Sequence, residues 1–447
     1  MAPIMIGTQG KMAFLHLLIV LLVPLLTNSS EDTSELRRWC FYTNWAQYRS
    51  NEGKFVPDDI DATLCTHISY AFANIVNNSL VAQEWNDENS KWSKGMYARV
   101  NELKINNKNL KTMLAVGGWN MGSLPFTHVI SSKDNRKKFI ENVITFLRIH
   151  NFDGLDICWI FPTKRGSQSG DKEKFGNLLK EMKDAFKKES KEKELLLGIV
   201  VGSKKSLIDE AYDIDAINKA VDVISIMSYD FYSPQDSEYA MHPSALYSGN
   251  STNEDEYERN VNFTAHYWNS LGVPKKKINI GIPFYGRSFF TGSHTPEKGV
   301  KEGLPSFGKG NGGIYTKDKG FLAYYETCIL EKKSVFMEDR GVPFIAVDND
   351  WIGYENIESV KLKANFALQN NYGGLMFWTL DWMISREYAM VVKNIRFLQL
   401  PTQLSIRISP QKKTPKIPVN EMSRVMDKNC YEIISDPVGI CWQYHNE

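Results

Sequence analysis

The chain has 447 residues, 43% of them hydrophobic and 23% charged, a composition that supports a large buried core and excludes extended disorder away from the ends. Its 53 basic residues against 52 acidic ones leave a formal charge of +1, so nothing selects for a nucleic-acid partner and none is expected. The length exceeds one ordinary domain, yet suits a single α/β barrel with appendages.

The first segment, residues 1–30, reads as a secretory signal peptide: Lys11 precedes the apolar run Met12 to Leu26, and a polar TNSSEDTSE follows. An uncleaved signal anchor is the alternative, since no A-x-A site is visible and Pro24 interrupts the run. The apolar stretch is short for a membrane span, and no other stretch is suitable, so no membrane insertion is expected after cleavage. A secreted, extracellular protein follows from this reading.

From Trp39 onward, short apolar runs alternate with amphipathic stretches, the pattern of repeated βα units around a parallel sheet. Eight strands are expected: WCFYTNW near 39, THISYAF near 66, KTMLAVGG near 111, FDGLDICW near 152, ELLLGIVV near 194, VDVISIMSYD near 221, KINIGIPFYG near 277 and GGLMFWTL near 373. The helix-like DNRKKFIENVITFLRIHN places Phe139, Val143, Phe146 and Leu147 at helical spacing. Eight such units predict a closed (β/α)8 barrel over residues 36–398 rather than an open doubly wound sheet. The interval of about 90 residues before the eighth strand is too long for a loop. It holds strand-like aromatics in IYTKDKGFLAYYETC and VPFIAVDNDWIGYEN, so a small α+β insertion domain is expected over residues 288–350. Residues 399–447 read as a Pro- and Lys-containing linker with a short cysteine-bearing tail.

Six cysteines fit an oxidising compartment. Cys40 and Cys65 flank the first two strands and are the pair expected to bridge; Cys430 and Cys441 form a second candidate pair, and Cys158 and Cys328 have no evident partner. Connectivity does not follow from sequence. Asn77, Asn250 and Asn262 begin N-x-S/T triplets and are candidate glycosylation sites.

In a barrel of this kind, function sits at the C-terminal ends of the strands. Along the fourth strand, a period of two puts Asp156, Cys158 and Ile160 on one face and Leu155, Ile157 and Trp159 on the other.

The string FDGLDICWIFP closely resembles the signature of glycoside hydrolase family 18, the chitinases, whose DxxDxDxE pattern ends in the catalytic glutamate. Asp153 and Asp156 match its first two acids, while Cys158 and Ile160 stand where the third aspartate and the glutamate belong. The resemblance runs from about Cys40 to about Ile395 through CFYTNWAQYR, CTHISYAFA, LAVGGWN, MSYDF, PFYGRSF and GFLAYYETC, and is strongest to animal chitinases and chitinase-like lectins. It implies cleavage of β-1,4-linked N-acetylglucosamine by attack of the substrate's own acetamido oxygen, which leaves the glutamate as the sole protein acid. Isoleucine has no proton to give, and general acid catalysis alone is worth roughly 10²–10⁴ in rate. The expectation is therefore a chitinase-fold pseudoenzyme with no catalytic residues, a degenerate motif at Asp153, Asp156, Cys158 and Ile160, and no cofactor or metal.

Carried over motif by motif, the resemblance assigns sugar binding to Trp45, Phe72, Gly118, Trp119, Asp156, Met227, Tyr229, Asp230, Tyr285, Arg287 and Trp378, with Trp378 as the floor of the groove. Two positions depart from the pattern: Phe41 replaces a tyrosine, and LDWMISREY lacks the cysteine that would partner Cys328. The tail's two cysteines do not make the six-cysteine chitin-binding module of many active relatives. The expected protein is a monomeric chitinase-like lectin for chitooligosaccharides or related N-acetylglucosamine glycans. A residual or altered glycosidase, and an interaction or signalling protein with a vestigial groove, are the alternatives.

Overall fold

A computed structural model describes residues 36–50, 53–190, 193–250, 253–292, 302–383 and 392–393. The expected signal segment and the tail with Cys430 and Cys441 lie outside the described residues.

Eight strands run parallel: β1 (Arg37–Thr43), β2 (His67–Val76), β3 (Lys111–Gly117), β4 (Gly154–Cys158), β5 (Leu196–Val201), β6 (Val223–Ile226), β7 (Ile278–Pro283) and β8 (Gly374–Trp378). Each pairs with its successor, and β1 pairs with both β2 and β8, so the sheet closes into a (β/α)8 barrel. Strands covered on both faces must be apolar almost throughout, which is why they read as continuous runs rather than as alternation with polar residues.

The alternation survives in where the side chains go. Trp39, Phe41, Met113, Ala115, Cys158, Val223 and Met376 pack together inside the barrel. Cys40, Tyr42, Leu114, Val116, Leu155 and Ile157 belong to the larger core beneath the helices. The longer helices show how that outer layer is held. In the helix Lys133–Ile149, Phe139, Val143 and Leu147 are buried as the spacing predicts, Phe146 is half-buried, and Ile140 is buried as well. The Ser132 side chain caps its start by accepting from the Asn135 amide, and Arg136 forks onto Glu181 of the next helix, Asp171–Glu189, at 2.9 and 2.7 Å.

Between β7 and β8, an antiparallel sheet forms from 285–290, 321–323, 334–337, 342–347 and 350–353. Its first segment begins two residues after β7 ends, so Tyr285 and Arg287 sit where barrel and insertion meet.

Cys40 and Cys65 are joined by a disulfide across a sequence separation of 25 residues, which fixes β1 to the turn that leads into β2. Closing a loop of that length stabilises the fold by about 3 kcal/mol in the chain-entropy account. The Cys40→Ala/Cys65→Ala double variant is expected to melt several degrees lower by calorimetry while keeping its far-UV spectrum; an unchanged Tm would show that barrel packing alone holds β1.

Candidate active-site groove

The C-terminal ends of the strands carry a continuous set of aromatic rings. Trp45 lies in the short 3-10 turn Asn44–Tyr48 that follows β1, and its ring stacks on Phe72 of β2 with centroids 5.9 Å apart. Phe72 stacks in turn on Trp378 at the end of β8, at 6.0 Å, and Phe41 reaches the same indole at 5.2 Å. Trp378 meets Trp382 edge-on, Trp382 meets Tyr285, and Tyr285 meets Tyr229. Of the residues that sequence assigned to sugar binding, Trp45, Phe72, Met227, Tyr229, Tyr285 and Trp378 pack into this one cluster. Trp382 and Phe321 complete it and were missed. Phe321 stacks on Tyr285 at 5.0 Å from the insertion sheet, a contact for which strand periodicity gives no signal.

Gly118 has φ +84°, and a β-carbon there would lie 2.6 Å from the Phe72 ring. Glycine is therefore the residue that lets Phe72 lie against the β3 turn. The Gly118 amide donates to the Cys158 carbonyl at 2.9 Å, which locks the ends of β3 and β4 side by side. Trp119 follows directly. Its ring is 61% exposed and stands apart from the cluster, covered on one side by the Arg165 guanidinium, 3.9 Å from the ring centroid.

The charged groups fall into pairs. Arg287 forks onto Asp230 with two bonds of 2.8 Å, the guanidinium lying over the Tyr285 and Phe321 rings. Burial disfavours the Arg287 charge, but the Asp230 carboxylate outweighs it and holds the guanidinium protonated beyond its ordinary range. Asp381, fully buried, accepts from Arg49 at 2.7 Å and from the Thr43 amide at 3.3 Å. Tyr229 and Tyr285 are kept neutral, first by burial and next by the charge of Asp230.

The four positions of the degenerate motif separate. Asp153 is not at the groove. It sits just before β4, at the opposite end of the barrel, where Oδ2 accepts from the Thr112 amide at 2.8 Å and from Lys104 at 3.2 Å, and Oδ1 accepts from Lys193. Asp156 points inward and is buried, with Oδ2 accepting from Ser69 Oγ at 2.8 Å and from Trp39 Nε1 at 3.2 Å. Its Oδ1 has no partner among the described residues and lies where a β-carbon on Gly198 would come within 2.9 Å.

Cys158 also points inward. Burial, and then the neighbouring Asp156, push its thiol well above the ordinary range, so it stays a neutral apolar group. The strand ends there. Trp159 turns outward onto Phe126 at 5.1 Å, while Ile160 lies beyond the strand, half-buried, with its carbonyl accepting from Arg165 Nη1 at 3.2 Å. The alternation read from sequence thus holds through Trp159 and does not by itself set the direction of Ile160. Among the described residues no three His, Cys, Asp or Glu side chains converge as metal ligands.

Burial raises Asp156 to about 6, against the hydrogen bonds from Ser69 and Trp39 that pull it down. The folded state therefore binds this proton more tightly than the unfolded chain, whose aspartate titrates near 3.9. Stability is lost as pH rises from about 4 to about 6, by about 3 kcal/mol, and the loss is constant above that window. The Tm of Asp156→Asn minus that of the wild type is expected to rise with pH across that window; a flat difference would show an ordinary Asp156.

Residues 37–382 match the model of the glycosyl hydrolases family 18. Mouse chitotriosidase-1 is 41% identical over 345 residues, 76% of this chain and 72% of its own. Mouse oviduct-specific glycoprotein is 37% identical over 372 residues, and the chain spans about half the length of that relative, 49%. Among solved structures, human YKL-39, described as a pseudo-chitinase with retained chitooligosaccharide-binding properties, superposes with a TM-score of 0.74 at 33% identity, covering 81% of this chain and 99% of that one. An immunomodulatory active chitinase from Trichuris suis does so equally well, with a TM-score of 0.74 at 32% identity, covering 82% and 99%.

Proposed function

This chain belongs to the glycosyl hydrolases family 18, and from that premise we propose that it binds chitooligosaccharides or related N-acetylglucosamine glycans in the groove above the barrel without hydrolysing them. One observation carries this reading: Cys158 and Ile160, at and just beyond the end of β4, stand where the family pattern calls for two acids, and Cys158 packs with the aromatic rings of the groove. Fold similarity does not decide the matter, because active and inactive relatives superpose equally well.

Hydrolysis needs a proton on the leaving oxygen. Cys158 is a neutral buried thiol, Asp230 is held by Arg287, and Asp156 lies inside the barrel with Ser69 and Trp39 across it. None of the three is poised as a general acid at the rim. Binding has separate requirements. The apolar faces of sugar rings stack on rigid aromatics, and hydroxyls find a few fixed polar groups. Trp378 supplies the central face, and the Asp230–Arg287 pair, lying over Tyr285 and Phe321 of the same cluster, supplies polar atoms.

The route is secretory on this reading. The Cys40–Cys65 disulfide belongs to an oxidising compartment. Asn77 is exposed at the turn after β2, and Asn250 is exposed as well, so both present a glycan acceptor; Asn262 is half-buried in the first turn of the helix Val261–Ser270.

Titration with chitohexaose is expected to perturb tryptophan fluorescence, and Trp378→Ala to weaken binding about tenfold, the scale of one lost aromatic stack. The same protein should release no fluorophore from a chitobioside. No response at millimolar sugar, with indifference to Trp378→Ala, would favour an interaction protein with a vestigial groove. Turnover abolished by Asp230→Asn would instead make it a glycosidase.

A restoring experiment tests the lost chemistry. Ile160→Glu alone is expected to stay inactive, and Cys158→Asp with Ile160→Glu to recover measurable hydrolysis, since the second change supplies the group that orients the acetamido oxygen. A folded but inactive double variant would place the defect elsewhere in the groove.

A further inference from the structure

Arg165 has no counterpart in the motifs that define the groove, yet its side chain lies at the gap in the catalytic signature. Its backbone is left-handed, with φ 56°, and Nη1 donates both to the Trp119 carbonyl at 2.6 Å and to the Ile160 carbonyl at 3.2 Å. The guanidinium plane is thereby tied to the ends of β3 and β4 while it covers one side of the Trp119 ring. A cation so held on an aromatic face has little freedom left to lose on meeting a ligand.

Among the described residues its charge has no ion-pair partner. Arg49 is paired with Asp381, Arg287 with Asp230, and the adjacent Lys164 with Glu210 at 2.5 Å. Arg165 is exposed, has no carboxylate in ion-pair range among the described residues, and makes no hydrogen bond through Nε or Nη2 there. Those two N–H groups form the fork that fits a carboxylate or sulfate. The same end of β4 has no carboxylate of its own to repel an anion, because Cys158 and Ile160 occupy the acid positions. The opposite side of Trp119 remains open enough to take a sugar face, given the exposure of that ring.

We propose that Arg165 determines specificity by reading an anionic substituent, a sulfate or a carboxylate, on a sugar seated against Trp119, so that the groove prefers acidic N-acetylglucosamine glycans over neutral chitin fragments. This rests on the sugar-binding reading above. A competing account of the same geometry has Arg165 simply obstructing the indole, and it makes the opposite prediction for removal of the side chain's charge.

The test compares dissociation constants for three hexasaccharides: neutral chitohexaose, its 6-O-sulfated form, and a form oxidised to the carboxylate at C6. Wild-type protein should bind one or both anionic forms about fivefold more tightly than the neutral one at low salt, the scale of one exposed ion pair, with the ratio shrinking as salt is added. Whichever anionic arm is favoured names the substituent. In Arg165→Met the ratio should collapse to one, and in Arg165→Lys it should fall between, the fork being lost and the charge kept; unchanged Tm values verify folding.

A wild-type ratio of one with chitohexaose still bound overturns the assignment and leaves the lectin reading intact. So does a preference that survives Arg165→Met, or a tightening of all three ligands in that variant, which identifies obstruction. Absence of binding by any of the three overturns the lectin reading itself and this inference with it.

Discussion

The parallel pairing of β1 with both β2 and β8 is the constraint on which the rest depends. Closure gives every strand two covered faces and a fixed inward direction, so a period of two becomes an assignment of residues to a small interior or to a large outer core. Trp39 and Phe41 then face Met113, Ala115, Cys158 and Met376, while their sequence neighbours Cys40 and Tyr42 face helices. Closure also gathers the ends of strands far apart in sequence. Trp45, Phe72, Tyr285 and Trp378 span most of the barrel's length in chain order, yet Phe72 and Trp378 touch because β1, between them, holds β2 and β8 one strand apart.

Electrostatics at that end of the barrel follows from what the interior cannot solvate. Asp156 accepts two hydrogen bonds and still titrates near 6, since two neutral donors only partly replace water around a carboxylate. The exposed carboxylate, Asp230, is spoken for by Arg287. Cys158 is neutral and Ile160 apolar, and the Arg165 guanidinium is tied to the carbonyls of Trp119 and Ile160.

The strands and the aromatic wall were legible in the sequence because both are written locally: apolar runs of strand length, and short strings such as YTNW, MSYD and FYGR that keep their residues together. Strand position suggested the pairing of Cys40 with Cys65 without fixing it, and the disulfide joins that pair. What escaped has a common cause. Phe321 and Trp382 join the wall only through the insertion and the turn after β8, so their contacts are tertiary. Arg165 reaches Trp119 by a left-handed turn that a non-glycine residue rarely announces. Asp153 belongs to the family signature, but the signature runs the length of β4, so its first acid stands at one end of the barrel and its last position at the other.

That spread along one strand bears on how a partial signature should be weighed. Asp153 ties β3, β4 and two lysines together at the closed end, and Asp156 fills the space beside Gly198 beneath Trp39 and Ser69. Both would be retained by packing and hydrogen bonding whether or not the barrel cleaves anything, because removing either leaves buried donors without acceptors. Cys158 and Ile160 have no comparable structural duty as acids: they sit at and beyond the strand's end, where a carboxylate would be a cost to the fold and a benefit only to catalysis. The two surviving acids are therefore poor evidence for activity and the two missing ones good evidence against it. The aromatic wall is a third, separate matter: its rings pack against one another at the ends of the strands, so the fold holds them in place before any ligand arrives.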